Sequence, residues 1–77
     1  MFDVFHVNYL AGILNVTERE FHREIKPIIL HDFHTQLREK KIRNPDIGLD
    51  KEMNLYLVDP QDLGNYVATG DSILNYM

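Results

Sequence analysis

The sequence predicts an α+β fold in one small domain that spans residues 1–77. Two observations predict it. Apolar residues in the first half recur at helical spacing, and short alternating apolar runs replace them after residue 44. We therefore expect a helical half over residues 1–43, followed by a small antiparallel β-meander over residues 44–77.

The first residues fit two interpretations. Phe5, Val7 and Tyr9 alternate as the residues of a strand do, but the same segment also has an apolar helical face. Residues 10–14 favour a helix, and Asn15 is available to end it.

The start of the next helix is marked by three signals that agree. Thr17 is a good N-cap, and Glu20 three residues later completes a capping box. Val16 before the cap and Phe21 after it can form a hydrophobic staple. These signals predict a helix that begins at Glu18.

We expect this helix to run from about residue 18 to residue 41, with a kink near Pro27. Proline has no backbone N–H to donate, and its ring crowds the preceding turn. The run ends in a cation-rich turn that suits the helix dipole, and Asn44-Pro45 is a stop signal.

Three short strands are predicted after the helix, over residues 46–49, 54–58 and 66–69. The alternation in the second strand places Leu55 and Leu57 on one face. A turn-rich connection over residues 59–65 separates the second strand from the third.

Composition narrows the functional classes. The chain has no cysteine, which excludes disulfides and thiolate metal sites, and it has no apolar run of the ~20 residues that span a bilayer. Its net charge of −4 opposes nucleic-acid binding in general. Lys40, Lys41 and Arg43 nevertheless form a local basic cluster that could contact phosphates.

Candidate chemistry begins with His22 and Lys26, which lie one helical turn apart. Such a pair could cleave RNA without metal, with the imidazole as general acid or base and the ammonium group stabilising negative charge. The alternative is a histidine packed at the edge of the core. His31 and His34 lack the further ligands that a metal site needs, so we expect a solvated face there and predict neither metal nor cofactor.

Four short motifs occur in a fixed order over about residues 20–76: Phe21-His22 with Lys26, Asn44-Pro45-Asp46-Ile47, the strand with Asn54 and Leu57, and Thr69-Gly70. In this order they resemble small C-terminal toxin domains of bacterial polymorphic toxins, which are frequently nucleases that act on RNA. Met53 departs from the pattern because a glycine is expected at that turn.

The resemblance implies metal-independent RNA cleavage. His22 would be the general acid or base and Lys26 would hold phosphate, while Asp46 and Thr69 would orient the substrate. It also implies an immunity protein as partner and a cytoplasmic site of action. On residue type alone, Thr69 could instead be an ordinary turn threonine.

Residues 10–26 are also similar to helix-turn-helix DNA-binding segments. The resemblance rests on Ala11, Leu14, Asn15, Val16, Thr17, Phe21 and Ile25. Asn15 stands where glycine is usual, and asparagine tolerates the left-handed conformation of such a turn.

The helix-turn-helix resemblance implies a DNA-binding protein, with Arg19, His22, Arg23 and Lys26 facing the duplex. Three glutamates on the same helix would be repelled by phosphate unless they point away. A third hypothesis is a small protein-interaction module without activity of its own, which the acidic balance and thin core favour.

Overall fold

The computed structural model describes residues 1–77 and has the predicted α+β architecture. Helices cover one face of a single four-stranded antiparallel sheet. The radius of gyration is 11.4 Å. The elements are, in chain order, β1 (Asp3–Phe5), α1 (Val7–Leu14), α2 (Glu18–Glu20), a π-helical turn (Phe21–Ile25), α3 (Lys26–Asp32), α4 (His34–Glu39), β2 (Asp46–Leu49), β3 (Asn54–Asp59), β4 (Asp62–Ser72) and a 3₁₀ helix (Ile73–Tyr76).

The strands lie in the order β1-β2-β3-β4, and every neighbouring pair is antiparallel. The predicted meander is therefore present as β2, β3 and β4. The N-terminal residues add a fourth strand, because Val4 of β1 pairs with Gly48 of β2. The first half of the chain thus contributes an edge strand to the sheet as well as the helices.

Both interpretations of residues 2–14 hold, each for part of the segment. Asp3–Phe5 is a strand, and Val7–Leu14 is a helix. Asn15 ends α1 in the left-handed conformation, with a φ of 58°. The Val16 N–H then donates to the Ala11 carbonyl at 3.0 Å, which is the bond that closes a Schellman motif.

The helical run after Thr17 begins as predicted. The Thr17 hydroxyl accepts a hydrogen bond from the Glu20 N–H at 3.0 Å, so one of the free donors of the first turn is satisfied. Phe21 four residues on is fully buried, which anchors the first turn to the core.

A single kinked helix over residues 18–41 is not what the structure shows. The irregularity before Pro27 is the π-helical turn Phe21–Ile25, and α3 starts at Lys26 with Pro27 in its first turn. The wider π turn relieves the clash between the proline ring and the preceding turn. Pro27 therefore lies in the first turn of a new helix, α3.

A second interruption falls at Phe33, whose φ of −118° and ψ of 21° lie outside the helical range. The His34 ring nitrogen Nδ1 lies 2.9 Å from the His31 carbonyl oxygen, and side-chain bonds of this kind compete with the helical ladder. The helix ends at Glu39 rather than at residue 41. Lys41 has a φ of 58°, and the Ile42 N–H closes a Schellman motif on the Leu37 carbonyl.

Strand β4 starts earlier and ends later than the predicted residues 66–69. Only Pro60 and Gln61 separate its first residue from the end of β3. A bulge near its far end sets Thr69, Gly70 and Asp71 opposite Leu55, since Asn54 pairs with Ser72 and Tyr56 with Ala68.

The hydrophobic core lies between the helices and one face of the sheet. It consists of fourteen buried residues: Leu10, Ala11, Leu14, Phe21, Ile29, Phe33, Leu37, Ile42, Ile47, Leu49, Leu55, Leu57, Val67 and Ile73. Alternation in the regularly paired parts of the sheet directs Gly48, Tyr56, Tyr66 and Ala68 to the opposite side. We call that side, away from the helices, the open face. None of the helices has the length and apolar character required to traverse a bilayer.

Candidate functional site

The four predicted catalytic residues lie on separate elements. His22 is exposed in the π turn, and Lys26 is half-buried at the start of α3. Asp46 begins β2, and Thr69 lies in the bulge of β4. None of the five depressions in the surface is lined by more than one of them. The structure therefore does not gather these four residues in one cleft.

The hydroxyl of Thr69 is engaged with the backbone. It donates to the Leu55 carbonyl at 2.7 Å and accepts from the Asp71 N–H at 3.1 Å. These bonds replace ladder bonds that the bulge interrupts. Gly70 between them has a φ of +76°, a conformation that favours glycine. This arrangement is the turn role that residue type alone had left open for Thr69.

The two neighbouring histidines lie on the surface of the helical layer. The rings of His31 and His34 are 5.6 Å apart and tilted by 30°, and both residues are exposed. No group of three or more histidine, aspartate or glutamate side chains is placed to hold a metal ion.

The predicted nucleic-acid-binding residues form two separate groups. Arg19 and Arg23 line a shallow depression at the start of the second helix together with Thr17, Glu20 and Glu24. In this depression two carboxylates offset the two guanidinium groups.

The second group is the basic cluster of Lys40, Lys41 and Arg43, at and beyond the end of α4. All three are exposed. The Asn65 side-chain amide of β4 donates to the Lys40 carbonyl at 2.9 Å, which holds the end of the helix against the sheet. The Lys40 ammonium lies 5.8 Å from the centroid of the Tyr66 ring, within the range of a cation–π interaction.

Three aromatic rings in mutual contact lie on the open face beside this cluster. Phe2 stacks on Tyr56 with ring centroids 4.4 Å apart and planes 19° apart. The centroid of Tyr66 lies 5.0 Å from that of Phe2 and 6.0 Å from that of Tyr56, in edge-on geometry. We call Phe2, Tyr56 and Tyr66 the aromatic patch.

Sheet geometry explains why these rings meet. Leu55 and Leu57 face the core, so Tyr56 between them faces the opposite side. Tyr66 pairs with Val58 on the next strand and shares that side. Gly48 of β2 leaves room for Phe2, because a β-carbon there would lie only 2.6 Å from Phe2 Cδ1.

The aromatic patch forms the floor of the largest depression in the surface, with a volume of about 640 Å³. Its rim carries apolar side chains that are well exposed for their type, since Leu63 is 60% and Val4 is 40% accessible. The complete lining is Met1, Phe2, Asp3, Val4, Tyr56, Leu63, Gly64 and Tyr66. Exposed apolar groups around a recessed aromatic floor are typical of a binding surface.

A carboxylate fixes the hydroxyl end of Tyr56. Asp50 Oδ2 accepts from the Tyr56 hydroxyl at 3.0 Å. Burial alone would raise the pKa of Asp50, but hydrogen bonds from Asn54, from the Glu52 N–H and from Tyr56 outweigh it and lower the pKa to about 2. The hydrogen bond to Asp50 and partial burial raise the pKa of Tyr56 above its ordinary value.

The basic cluster is evident in the sequence, but the aromatic patch is not. The available signal was the outward position of Tyr56 in its predicted strand, together with a second tyrosine in the next strand. Phe2 could not be added from sequence, because its place depends on β1 pairing with β2 more than forty residues later.

Comparison with known proteins gives no assignment, since no family model, curated protein or solved structure matches the chain.

Proposed function

We propose that the protein binds single-stranded nucleic acid on the open face of its sheet. Unpaired bases stack on the aromatic patch, and neighbouring phosphates contact the basic cluster. The observation that carries the proposal is the contact between the two groups through Lys40, whose ammonium lies 5.8 Å from the centroid of the Tyr66 ring. Aromatic rings on a sheet face flanked by cations suit strands whose bases are free to stack.

Duplexes suit the open face less well. The rings are recessed in a depression and present aromatic surface, which paired bases inside a duplex cannot reach. Stacking on an aromatic side chain contributes about 1–3 kcal/mol per base and tolerates different bases. We therefore expect weak sequence preference and a clear preference for unpaired strands.

The acidic character of the chain sets the electrostatic contribution. The net charge is −4. Lys40 adjoins the aromatic patch, and Lys41 and Arg43 line a separate depression beyond the end of α4. Three phosphate contacts on a single strand predict a slope of about −2 for log Kobs against log salt. Stacking, which is less sensitive to salt, therefore supplies much of the affinity.

Fluorescence anisotropy with labelled oligouridine tests the proposal at low and at physiological salt. We expect Tyr66→Ala to weaken binding by about fivefold to a hundredfold. Arg23→Ala, on the far helical surface, is the matched control and should bind like the wild type. Wild-type protein that does not bind the oligonucleotide, or equal affinity in the two variants, refutes the proposal.

Cleavage of bound RNA is a further step, implied by the resemblance to toxin nucleases. His22 is exposed and could act on a strand that passes the helical layer. Incubation with RNA in EDTA tests this hypothesis, with His22→Ala as the variant and His34→Ala as the control. We expect cleavage by the wild type and by His34→Ala, and no cleavage by His22→Ala. The same activity in all three proteins, or none in any, rejects the hypothesis.

A second candidate function is duplex DNA binding through residues 10–26. The observation that favours it is the local geometry, since left-handed Asn15 and the Thr17 cap join α1 to the next helix in a tight turn. Arg19 and Arg23 are both exposed along that helix. Glu20 and Glu24 line the same depression and oppose phosphate binding.

The two candidate surfaces predict opposite patterns. If the helix binds DNA, a random-sequence duplex at low salt should lose affinity with Arg19→Ala and Arg23→Ala and be unaffected by Tyr66→Ala. If the open face binds single strands, oligouridine should lose affinity with Tyr66→Ala and be unaffected by Arg19→Ala and Arg23→Ala. If neither arginine substitution changes the affinity for duplex DNA, the helix-turn-helix hypothesis is rejected.

A further inference from the structure

The turn between β2 and β3 is organised by one side chain, that of Asp50. Its Oδ1 accepts from the backbone N–H groups of Glu52 at 2.9 Å and of Asn54 at 3.0 Å. These two bonds are those of an ordinary aspartate turn. Met53 in this turn has a φ of 67°, so the turn is tight without glycine.

The other oxygen of Asp50 bonds to two side chains of β3. Its Oδ2 accepts from the Asn54 side-chain amide at 3.0 Å and from the Tyr56 hydroxyl at 3.0 Å. Neither bond is needed to close the turn. Both connect the turn to side chains on β3, and one of these is a ring of the aromatic patch.

We infer that Asp50 is a positioning residue for the single-strand site and sets the orientation of the Tyr56 ring against Phe2. The inference rests on the proposed function of the open face. Stacking requires a ring held at a fixed angle, and Tyr56 is anchored at its backbone by β3 and at its hydroxyl by Asp50. The 19° angle between Phe2 and Tyr56 is the arrangement that this double anchoring maintains.

The charge of Asp50 and its positioning role predict opposite effects of its removal on binding, which makes the inference testable. A carboxylate beside a nucleic-acid site repels phosphate, so its removal should strengthen binding if Asp50 acts only through its charge. If Asp50 positions Tyr56, its removal should weaken binding although a negative charge is lost.

Asp50→Ser is the informative variant. Its hydroxyl can still accept from a turn N–H, but it is too short to reach the phenol of Tyr56. Asp59→Ser is the matched control, because Asp59 accepts from the Gln61 N–H at 2.9 Å in the hairpin turn at the other end of β3 and makes no hydrogen bond to a ring of the aromatic patch. Asp59 lines the depression of Lys41 and Arg43, so its loss reports the effect of removing one negative charge beside the cations. Both variants lose one turn carboxylate and one charge.

A double-mutant cycle with Tyr56→Phe gives the decisive measurement. Tyr56→Phe keeps the ring and removes its hydroxyl, so it breaks the same hydrogen bond from the other side. We expect Asp50→Ser and Tyr56→Phe each to weaken oligouridine binding by about two- to tenfold, and the double variant to be no weaker than either. Additive losses, or tighter binding by Asp50→Ser, overturn the inference.

Nuclear Overhauser contacts between the Phe2 and Tyr56 rings separate this inference from the proposed function, because they need no ligand. We expect them to weaken in Asp50→Ser and to persist in Asp59→Ser. Weakened contacts in a protein that binds no oligonucleotide would leave the positioning role in place and remove the nucleic-acid function. Unchanged contacts in Asp50→Ser refute the positioning role whatever the protein binds.

Discussion

Gly48 is the residue on which the aromatic patch depends most directly. Its α-carbon lies under the Phe2 ring, and a β-carbon added there would meet Phe2 Cδ1 at 2.6 Å and the Asp3 carbonyl oxygen at 3.2 Å. Real β-carbons essentially never approach another atom to 2.6 Å, and 3.2 Å is already tight, so either the ring or strand β1 must move. Glycine is required here for the close approach of an aromatic ring and not for an unusual backbone angle.

Gly48→Ala should therefore destabilise the protein by about 1–3 kcal/mol, the usual cost of an overpacked site. It should also displace Phe2 from Tyr56 and so weaken oligouridine binding. Urea denaturation followed by circular dichroism measures the first effect.

Gly12→Ala is the control for Gly48→Ala. Gly12 is exposed on α1 with nothing within 4 Å of an added β-carbon. Alanine there should raise the free energy of unfolding by about 0.5–1 kcal/mol, since glycine is unfavourable inside a helix. Equal effects of the two substitutions would mean that Phe2 does not occupy the space above Gly48.

The ends of the helices are the part of each element that could be predicted best from sequence. Thr17 and Asn15 act through bonds to residues only a few positions away, so residue type and spacing suffice to identify them. The interruption at Phe33 was not predicted, because its local signal, a histidine bond to the His31 carbonyl, is not specific. The strand β1 was ambiguous for a different reason: its partner β2 lies forty residues away.

Lys41 both ends the helix and belongs to the basic cluster of the proposed site. It ends the helix in the left-handed conformation with a φ of 58°, a position that glycine occupies without strain. Lys41→Gly should therefore stabilise the fold by about 1 kcal/mol. It should also weaken binding of single strands and make the salt dependence shallower, since one phosphate contact is lost.

Lys40→Gly is the matched variant for Lys41→Gly. It also removes a cation, but Lys40 has a φ of −89°, so no left-handed strain is relieved. We expect this variant to lose both stability and affinity. Lys41→Gly that is less stable than the wild type in thermal unfolding would contradict the account of the helix end.

The aromatic patch exists only at the scale of the whole molecule. Residues 2, 56 and 66 are distant in sequence and become neighbours through the order and register of the strands. The motifs that suggested catalysis run along the chain in a fixed order, but the fold places His22 on a helix and Thr69 in a bulge. Order along the chain did not predict proximity, because proximity here is set by long-range strand pairing.

Acid stability should report on the turn that holds the open face. The pKa of Asp50 is lowered from 3.8 to about 2 in the folded protein, so its ionised form favours folding. Its contribution is complete above pH 4 and is lost as the pH falls from about 4 to about 2. In Asp50→Ser the urea midpoint of unfolding should fall less steeply over this range, whereas in Asp59→Ser it should fall as it does in the wild type. Parallel curves for the wild type and Asp50→Ser would show that the hydrogen bonds of Asp50 do not stabilise the fold.

Alkaline stability should report on a second side-chain bond, at the place where the C-terminal 3₁₀ helix joins the helical layer. The Tyr76 hydroxyl donates to Asp32 Oδ2 at 2.9 Å, and burial together with this bond raises the pKa of Tyr76 to about 12. The neutral phenol favours the fold, so its contribution is complete below about pH 10 and is lost as the pH rises from 10 to 12. Tyr76→Phe should be less stable than the wild type at pH 7, and the difference should shrink between pH 10 and pH 12.

Tyr9→Phe is the control, since Tyr9 is exposed on α1 and the loss of its hydroxyl should leave the midpoint unchanged at pH 7. A Tyr76→Phe midpoint that stays below the wild type by the same amount at pH 7 and pH 12 would show that the Tyr76 phenol contributes no pH-dependent stability.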